Sequence, residues 1–346
     1  NVYNTAVGFL AGGAVTTGTL NTLIGGLAGN ALTTGAQNTA IGHEALSTED
    51  TGARNTAIGE GSLKTLNFDG NGYNVAVGYN SGHLMTTGVH NTLIGGEAGD
   101  ALTIGVNNIA IGYLALSASI DGDHNVAIGT YALRNYEDGD GNGSNTAVGH
   151  ASQTNASTGE FNTSLGSLSM GVGVVTGDYN VALGYKAGED LTAGAQNTMI
   201  GGLAMGVGVT TGANNVAIGY RSGEDLTSGN ENSLLGVLAG AGLTSGAANV
   251  AVGYGALSSE DAHGNNTAIG HTALSVLNAN AHGYDVAVGY QAGRVMTTAV
   301  ENTLIGSFAG DAITTGSSNT ALGYHSLGTE NTGSRAVAIG YGALFA

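Results

Sequence analysis

Residues 21–42 read NTLIGGLAGNALTTGAQNTAIG, and they contain the unit from which the whole chain is built. A pentapeptide of the form Asn-Thr/Val-Ala/Leu-Ile/Val-Gly begins at Asn21 and begins again at Asn38, 17 residues later. Twenty copies follow one another from Asn4 to Gly340, usually 17 residues apart and occasionally 18 to 20. So regular a period predicts a repeat architecture in which each copy is one structural unit.

Three columns of the repeat are nearly constant. The residue before the motif glycine is always Ile, Val or Leu, the third residue after it is always Ala or Ser, and Asn begins every copy except those at Asp285 and Ala336. The copies group into sets of four, and the second copy of most sets carries Leu where the others carry Ala: Leu23, Leu93, Leu234 and Leu304. We therefore expect one array over residues 1–346, in the sets 1–73, 74–144, 145–214, 215–284 and 285–346.

The motif suits a short strand between two turns. Its centre is apolar and β-branched, as strands prefer, and Asn and Gly at its ends favour turns. Seventeen residues are too few for a helix pair, so we predict an all-β parallel solenoid of about 20 coils with 17 residues in each. Strands in neighbouring coils lie about 4.8 Å apart, which predicts a rod roughly 95 Å long.

The alternation of side chains predicts which columns fill the coil. Because the fourth motif position is always aliphatic, we expect it to point inward, and the third position, with Ala6 and Leu23, to face a neighbouring chain. The seventh residue after the motif glycine and the residue after the Ala/Ser column should alternate as an apolar plug, as at Leu32 and Leu46. Stacked Asn side chains should form a hydrogen-bonded ladder.

Composition excludes several classes of protein. The chain has 25 acidic and 7 basic residues and a net charge of −18, so we expect no nucleic-acid binding. It has no Cys, and therefore no disulfide framework or thiolate metal site, and it has no long apolar run that would insert into a membrane. No nucleophile and base recur together, and we predict that the chain is not an enzyme.

Tyrosines form a column directly after the motif glycine. An exposed strip of rings could stack on sugars, whereas the alternative is that the rings pack over glycine corners or a neighbouring chain. The column consists of Tyr79, Tyr113, Tyr185, Tyr220, Tyr254, Tyr290, Tyr324 and Tyr341. His43, His150 and His271 share the same position.

Two longer coils contain a possible calcium loop. Residues 67–72 and 138–143 both fit Asn/Asp-x-Asp-x-Asn-Gly, the front half of a loop in which alternate oxygens converge on Ca²⁺. The bidentate Glu at the twelfth loop position is missing, and a plain Gly/Asn/Asp loop is the alternative. Calcium is the one cofactor that the sequence suggests, and its candidate ligands are Asn67, Asp69, Asn71, Asp138, Asp140 and Asn142.

The pattern Asn-Thr-Ala-Ile-Gly-x-x-Ala resembles the YadA-like head repeat of trimeric autotransporter adhesins and of phage and bacterial tail-fibre-like proteins. The resemblance covers all twenty copies. It implies a left-handed β-roll, a homotrimer around one axis, and an extracellular place on a virion fibre or a bacterial surface.

The leading functional prediction is a structural fibre or adhesin segment that serves attachment. One alternative is a glycan-binding surface module that uses the tyrosine column, and another is the subunit of a self-assembling extracellular filament. The terminal copies match the consensus as well as the central ones do, so we also expect end-to-end assembly or a longer fibre.

Overall fold

The computed structural model describes residues 3–137, 143–279, 282–329 and 332–345. It divides into two compact units, Asn1–Thr176 and Gly177–Ala346, and the boundary falls inside the third set of four coils. Each unit is an all-β parallel solenoid with coils of about 17 residues, as the repeat predicts. No helix occurs in the described ranges, and so none there could span a membrane.

In the first unit, ten three-residue strands pair in sequence, all parallel and in register. Thr5 pairs with Thr22 and Val7 with Ile24, so each motif position lies beside the same position of the next coil. The strands are β1 Thr5–Val7, β2 Thr22–Ile24, β3 Thr39–Ile41, β4 Thr56–Ile58, β5 Val75–Val77, β6 Thr92–Ile94, β7 Ile109–Ile111, β8 Val126–Ile128, β9 Thr146–Val148 and β10 Thr163–Leu165.

The second unit repeats this arrangement with ten further strands. Val181 pairs with Thr198, and the register continues without a slip to the pair Leu322 and Ile339. The strands are β11 Val181–Leu183, β12 Thr198–Ile200, β13 Val216–Ile218, β14 Ser233–Leu235, β15 Val250–Val252, β16 Thr267–Ile269, β17 Val286–Val288, β18 Thr303–Ile305, β19 Thr320–Leu322 and β20 Val337–Ile339.

Each described coil has one strand, and the remainder of the coil is turns that also bond to the next coil. The backbone N–H groups of Thr16, Thr17 and Gly18 all donate to the carbonyl oxygen of Thr33, at 2.9, 3.2 and 3.2 Å. The side opposite the strand is therefore a stack of hydrogen-bonded turns, and buried backbone groups there find partners without a second sheet.

The motif glycine is required by the corner that it makes. Gly25 has a φ of 135°, and a Cβ atom built on it would lie 2.4 Å from the carbonyl oxygen of Gly42. The corners of successive coils thus approach too closely for any side chain, in a backbone conformation that other residues rarely adopt. This double requirement explains why the glycine never varies along the chain.

The asparagine ladder that the sequence predicts is present. The Oδ1 atom of Asn21 accepts a hydrogen bond from the backbone N–H of Asn38 at 2.9 Å. Its Nδ2 atom donates to the carbonyl oxygen of Gly35 at 2.8 Å, at the corner that leads into the next coil. These side chains are buried, so the ladder satisfies backbone groups that water cannot reach.

The prediction of which strand face points inward was wrong. The third motif position fills the coil: Leu23, Leu93, Leu234 and Leu304 are fully buried, as are Ala40 and Ala57. The fourth position lies on the outer face, where Ile94 is 37% exposed. The coil is too narrow for aliphatic side chains in every rung, so the inner column is mostly Ala, while β-branched residues occupy the outer face of the strand.

The predicted exchange of apolar plugs is confirmed. Leu32 and Leu46 are both fully buried, in successive coils that use the two alternative plug positions. The larger inner leucines fill the space beside glycines at the unused plug position: a Cβ atom on Gly82 or Gly99 would lie 2.8 and 2.9 Å from the Cδ atoms of Leu93. The four-coil period is therefore a packing period, in which one Leu in the strand complements glycines in the coils beside it.

Candidate functional site

All eight tyrosines of the column directly after the motif glycine are exposed. Their exposed fractions run from 43% at Tyr324 to 83% at Tyr341. Because the strands are in register, residues of this column in one unit lie above one another at the coil spacing. Each unit thus carries an exposed row of positions that is rich in aromatic rings, hereafter the aromatic column.

In the second unit part of this column is filled by rings that stack on one another. The imidazole of His271 lies between two tyrosine rings, 5.1 Å from that of Tyr254 and 5.4 Å from that of Tyr290, with interplanar angles of 17° and 26°. Further along the unit, Tyr324 and Tyr341 stack at 5.3 Å. The ring faces that meet inside these stacks are covered by neighbouring rings.

Elsewhere the column has a glycine between two rings. Gly96 lies between Tyr79 and Tyr113, and Gly202 lies between Tyr185 and Tyr220. In both cases the later ring leans over the glycine: an added Cβ atom would lie 3.6 Å from Cδ2 of Tyr113 and 3.4 Å from Cδ2 of Tyr220. The expected packing of rings over glycine corners therefore occurs, and it leaves the rings exposed.

The first calcium-loop candidate is an exposed turn that is anchored to its neighbours. Asn67, Asp69 and Asn71 are all exposed. The carboxylate of Asp69 accepts a hydrogen bond from the Thr51 hydroxyl at 2.6 Å, and the backbone of Asn71 pairs with Ala53. Nowhere in the described ranges do three or more His, Cys, Asp or Glu side chains form a group that could hold a metal ion. Calcium binding here stays a prediction, and Asp138, Asp140 and Asn142 of the second candidate lie outside the described residues.

A buried glutamate holds this turn in place. Glu49, in the preceding coil, is fully buried at the plug position, where most coils have an aliphatic residue. Its Oε1 atom accepts from the backbone N–H of Gly52 at 2.7 Å, and its Oε2 atom accepts from that of Phe68 at 3.1 Å. Burial raises the pKa of Glu49, and the hydrogen bonds from Phe68 and Gly52 oppose that rise.

The second unit contains an equivalent buried glutamate. Glu260 is also fully buried, and its carboxylate accepts from the backbone N–H groups of Asp261 and His263 at 3.2 Å and of Ala279 at 3.4 Å. In both cases the coil that follows is 19 residues long. The sequence analysis missed this role, although the recurrence of Glu in one register before a lengthened coil is a signal for it.

The outer face of the strands is a regular apolar surface in each unit. Aliphatic side chains of the fourth motif position are half-buried or exposed in every strand. The exposed ones outside the first and last strands of the chain are Ile24, Ile94, Ile128, Leu165, Leu183, Leu235, Ile269, Ile305 and Leu322. Exposed apolar side chains in such a continuous row commonly mark an interaction surface.

No family model matches the chain, and no curated protein matches it.

Proposed function

We propose that this chain is a structural segment of a surface fibre, on a virion or a bacterial cell, and that it contributes to attachment. The regular register of coils supports the proposal. Each coil is hydrogen-bonded to the next through its strand, its turns and its asparagine side chain, so a unit gains length by adding similar layers. Columns of like side chains recur in rows, an arrangement suited to extended contact.

The proposal includes self-association of chains through the outer strand face. The row of exposed aliphatic residues at the fourth motif position is the observation that carries it. Leu235 and Leu322 are each nearly half exposed, and the row repeats at the coil spacing within each unit. A second copy of the same chain has a matching row with the same spacing, so the two surfaces complement each other along their length. The resemblance to trimeric adhesin heads makes three copies the expected number.

Sedimentation analysis of the purified chain tests this self-association. We expect a particle of about three times the 33.9 kDa chain mass. The substitution Ile94→Glu places a charge in the centre of the outer face and should shift the particle toward the single-chain mass, because an unpaired charge is costly to bury at an interface.

Ile104→Glu is the matched control. Ile104 is 54% exposed but lies in the turns away from the strand, so the same charge there should leave the mass unchanged. A single-chain mass for the unmodified protein at all concentrations would contradict the proposal. So would equal effects of the two substitutions.

Glycan binding by the aromatic column is the second candidate function. The exposure of all eight tyrosines favours it, because aromatic rings with a free face stack on the C–H groups of sugar rings. The stacked part of the column offers few free faces, so any binding must be concentrated where the stack is interrupted.

A further inference from the structure

We infer that each glycine that interrupts the aromatic column forms a binding notch for a single sugar ring. The sugar ring would lie between the aromatic residue one coil before the glycine and the aromatic residue one coil after it. This inference rests on the second candidate function and assigns it to defined places. The notches are Tyr79–Gly96–Tyr113 and Tyr185–Gly202–Tyr220, and Phe9–Gly26–His43 is a third of the same form.

The chain itself contains the filled version of such a notch. His271 takes the place of the glycine between Tyr254 and Tyr290, and its ring is stacked with both. Its centroid lies 5.1 and 5.4 Å from the two tyrosine centroids. This arrangement shows that two tyrosines separated by one coil can hold a ring between them. Replacing the histidine by glycine leaves the same two walls with the central ring removed.

Nothing in the fold requires glycine at these positions. The motif glycines have strongly positive φ angles and collide with backbone if a Cβ atom is added, whereas Gly96 and Gly202 have neither restriction. Around the Cβ position of Gly96 only the ring of Tyr113 lies within 4 Å. Other coils carry a side chain in this column, such as Val237 after Tyr220. The absence of a side chain therefore leaves space that the backbone does not need, and the leaning ring of Tyr113 bounds that space on one side.

The spacing of the walls selects the guest. Tyrosines two coils apart are separated by about 9.6 Å along the unit, from the strand spacing of about 4.8 Å. A flat ring such as the His271 imidazole is held there with centroid distances of 5.1 and 5.4 Å, whereas flat rings in full face contact at about 3.5–4.0 Å on each side would span only about 7–8 Å. A pyranose chair is thicker, because hydrogen atoms project from both of its faces, and it fills the gap better.

The sandwich also selects the configuration of the sugar. Both faces of the guest meet an aromatic ring, so both faces must be apolar. Only a pyranose with all of its hydroxyl groups equatorial has C–H groups alone on both faces, and the gluco configuration in a β-linked chain meets this condition. An axial hydroxyl, as in galacto or manno sugars, would press a polar group against one ring and lose hydrogen bonds to water.

The first notch has the firmer wall. The edge of the Tyr131 ring contacts Tyr113 with a centroid distance of 5.8 Å, and Arg134 lies 5.1 Å from the Tyr131 ring. Tyr113 is thus braced on the side away from Gly96. A wall that is already ordered loses less side-chain freedom when a ligand binds, so this notch should be the strongest of the three.

Calorimetric titration of the full chain with soluble cello- and chito-oligosaccharides tests the inference. We expect binding, with weaker or no binding of β-linked galacto- and manno-configured oligosaccharides. Filling the notches with Gly26→Val, Gly96→Val and Gly202→Val together should weaken gluco binding by roughly tenfold or more, because the stacking contacts of each sandwich are lost. His271→Gly should add one binding site, and it is a gain that a general loss of folding cannot imitate.

The outcomes separate the inference from the proposals beneath it. If the unmodified chain binds gluco-oligosaccharides and the three valines leave binding unchanged, the notches are wrong while the tyrosine column stays a candidate. If the unmodified chain binds none of these sugars, both the notches and the glycan function are overturned, and the fibre role, which rests on self-association, is untouched. Loss of binding in the valine variant together with an added site in His271→Gly supports the notches.

Discussion

The inner and outer faces of each strand carry residues of similar polarity but opposite surroundings. Leu93 and Ile94 are neighbours in β6, yet Leu93 is fully buried inside the coil while Ile94 is 37% exposed. The inner face is mostly alanine, with a leucine in the second coil of most sets, and the fourth motif position on the outer face is aliphatic in every coil. Hydrophobicity alone therefore does not identify the core of a narrow solenoid, and side-chain size is the better guide.

The largest expected effect comes from opening the inner face. Leu93→Ala should lower the free energy of unfolding by about 2–5 kcal/mol, because Leu93 fills the space beside Gly82 and Gly99 and its loss leaves a cavity. Ile94→Ala, one residue further on, is the matched control and should cost about 1 kcal/mol or less under conditions where the chain is dissociated. Chemical denaturation followed by circular dichroism measures both, and equal losses would contradict the assignment of the two faces.

An acidic residue on the buried asparagine ladder tests the contrast between buried and exposed positions with a charged group. Asp285 takes the place of Asn, and burial raises its pKa to about 7. Its Oδ1 atom still accepts from the backbone N–H of Asn302 at 2.8 Å, whereas its buried Oδ2 atom has no hydrogen-bond partner in the described structure. The ionised form is therefore unfavourable in the folded chain.

Stability should consequently fall as the pH rises from about 4, where the unfolded chain ionises, to about 7, where the folded chain does, and then level off. Asp285→Asn should abolish this part of the pH dependence and stabilise the protein at neutral pH by on the order of 2–4 kcal/mol. Thermal or chemical unfolding across this pH range gives the readout. Glu231→Gln, at an exposed position, is the control and should change little; an unaltered pH profile in Asp285→Asn would rule out the proposed cost of ionisation.

The smallest of these effects is expected from a pair of adjacent asparagines. Asn108 is buried; its Oδ1 atom accepts from the backbone N–H of Asn125 at 2.9 Å and its Nδ2 atom donates to the carbonyl oxygen of Gly122 at 2.7 Å. Asn108→Ala leaves both backbone groups without these partners and should cost about 1–3 kcal/mol. Asn107→Ala, on the exposed side, should cost about 0.5 kcal/mol or less. Denaturant unfolding measures the loss of stability in each variant. A loss for Asn108→Ala that is no larger than the loss for Asn107→Ala would mean that the ladder adds no stability.

Much of the fold follows from the sequence because identical columns stack in register. The period, the parallel strands, the Asn ladder and the exchange of plugs at Leu32 and Leu46 are all visible in a single chain. The prediction of the inward face was wrong because the fourth position is aliphatic, mostly Ile or Val, for reasons of strand conformation, so its constancy does not indicate burial.

The candidate site was less predictable. The tyrosine column and its exposure follow from the spacing, but ring stacking depends on side-chain rotamers that no repeat pattern specifies. The burial of Glu49 depends on backbone N–H groups of the lengthened coil that turn toward it. Those contacts exist only once the coils are stacked, so composition and spacing could not show them.

The asparagine ladder gives each unit a direction. Between successive coils of one unit, the Oδ1 atom accepts from the coil that follows, as in the bond from the N–H of Asn38 to Asn21, so the side-chain bonds run the same way throughout a unit. A unit under tension along its axis would carry the load in series, with each layer held to the next by an equivalent set of bonds. Layers should therefore yield one at a time under a sawtooth of similar forces, and the rung at Asp285, which accepts but cannot donate when ionised, is where the first layer should part at neutral pH.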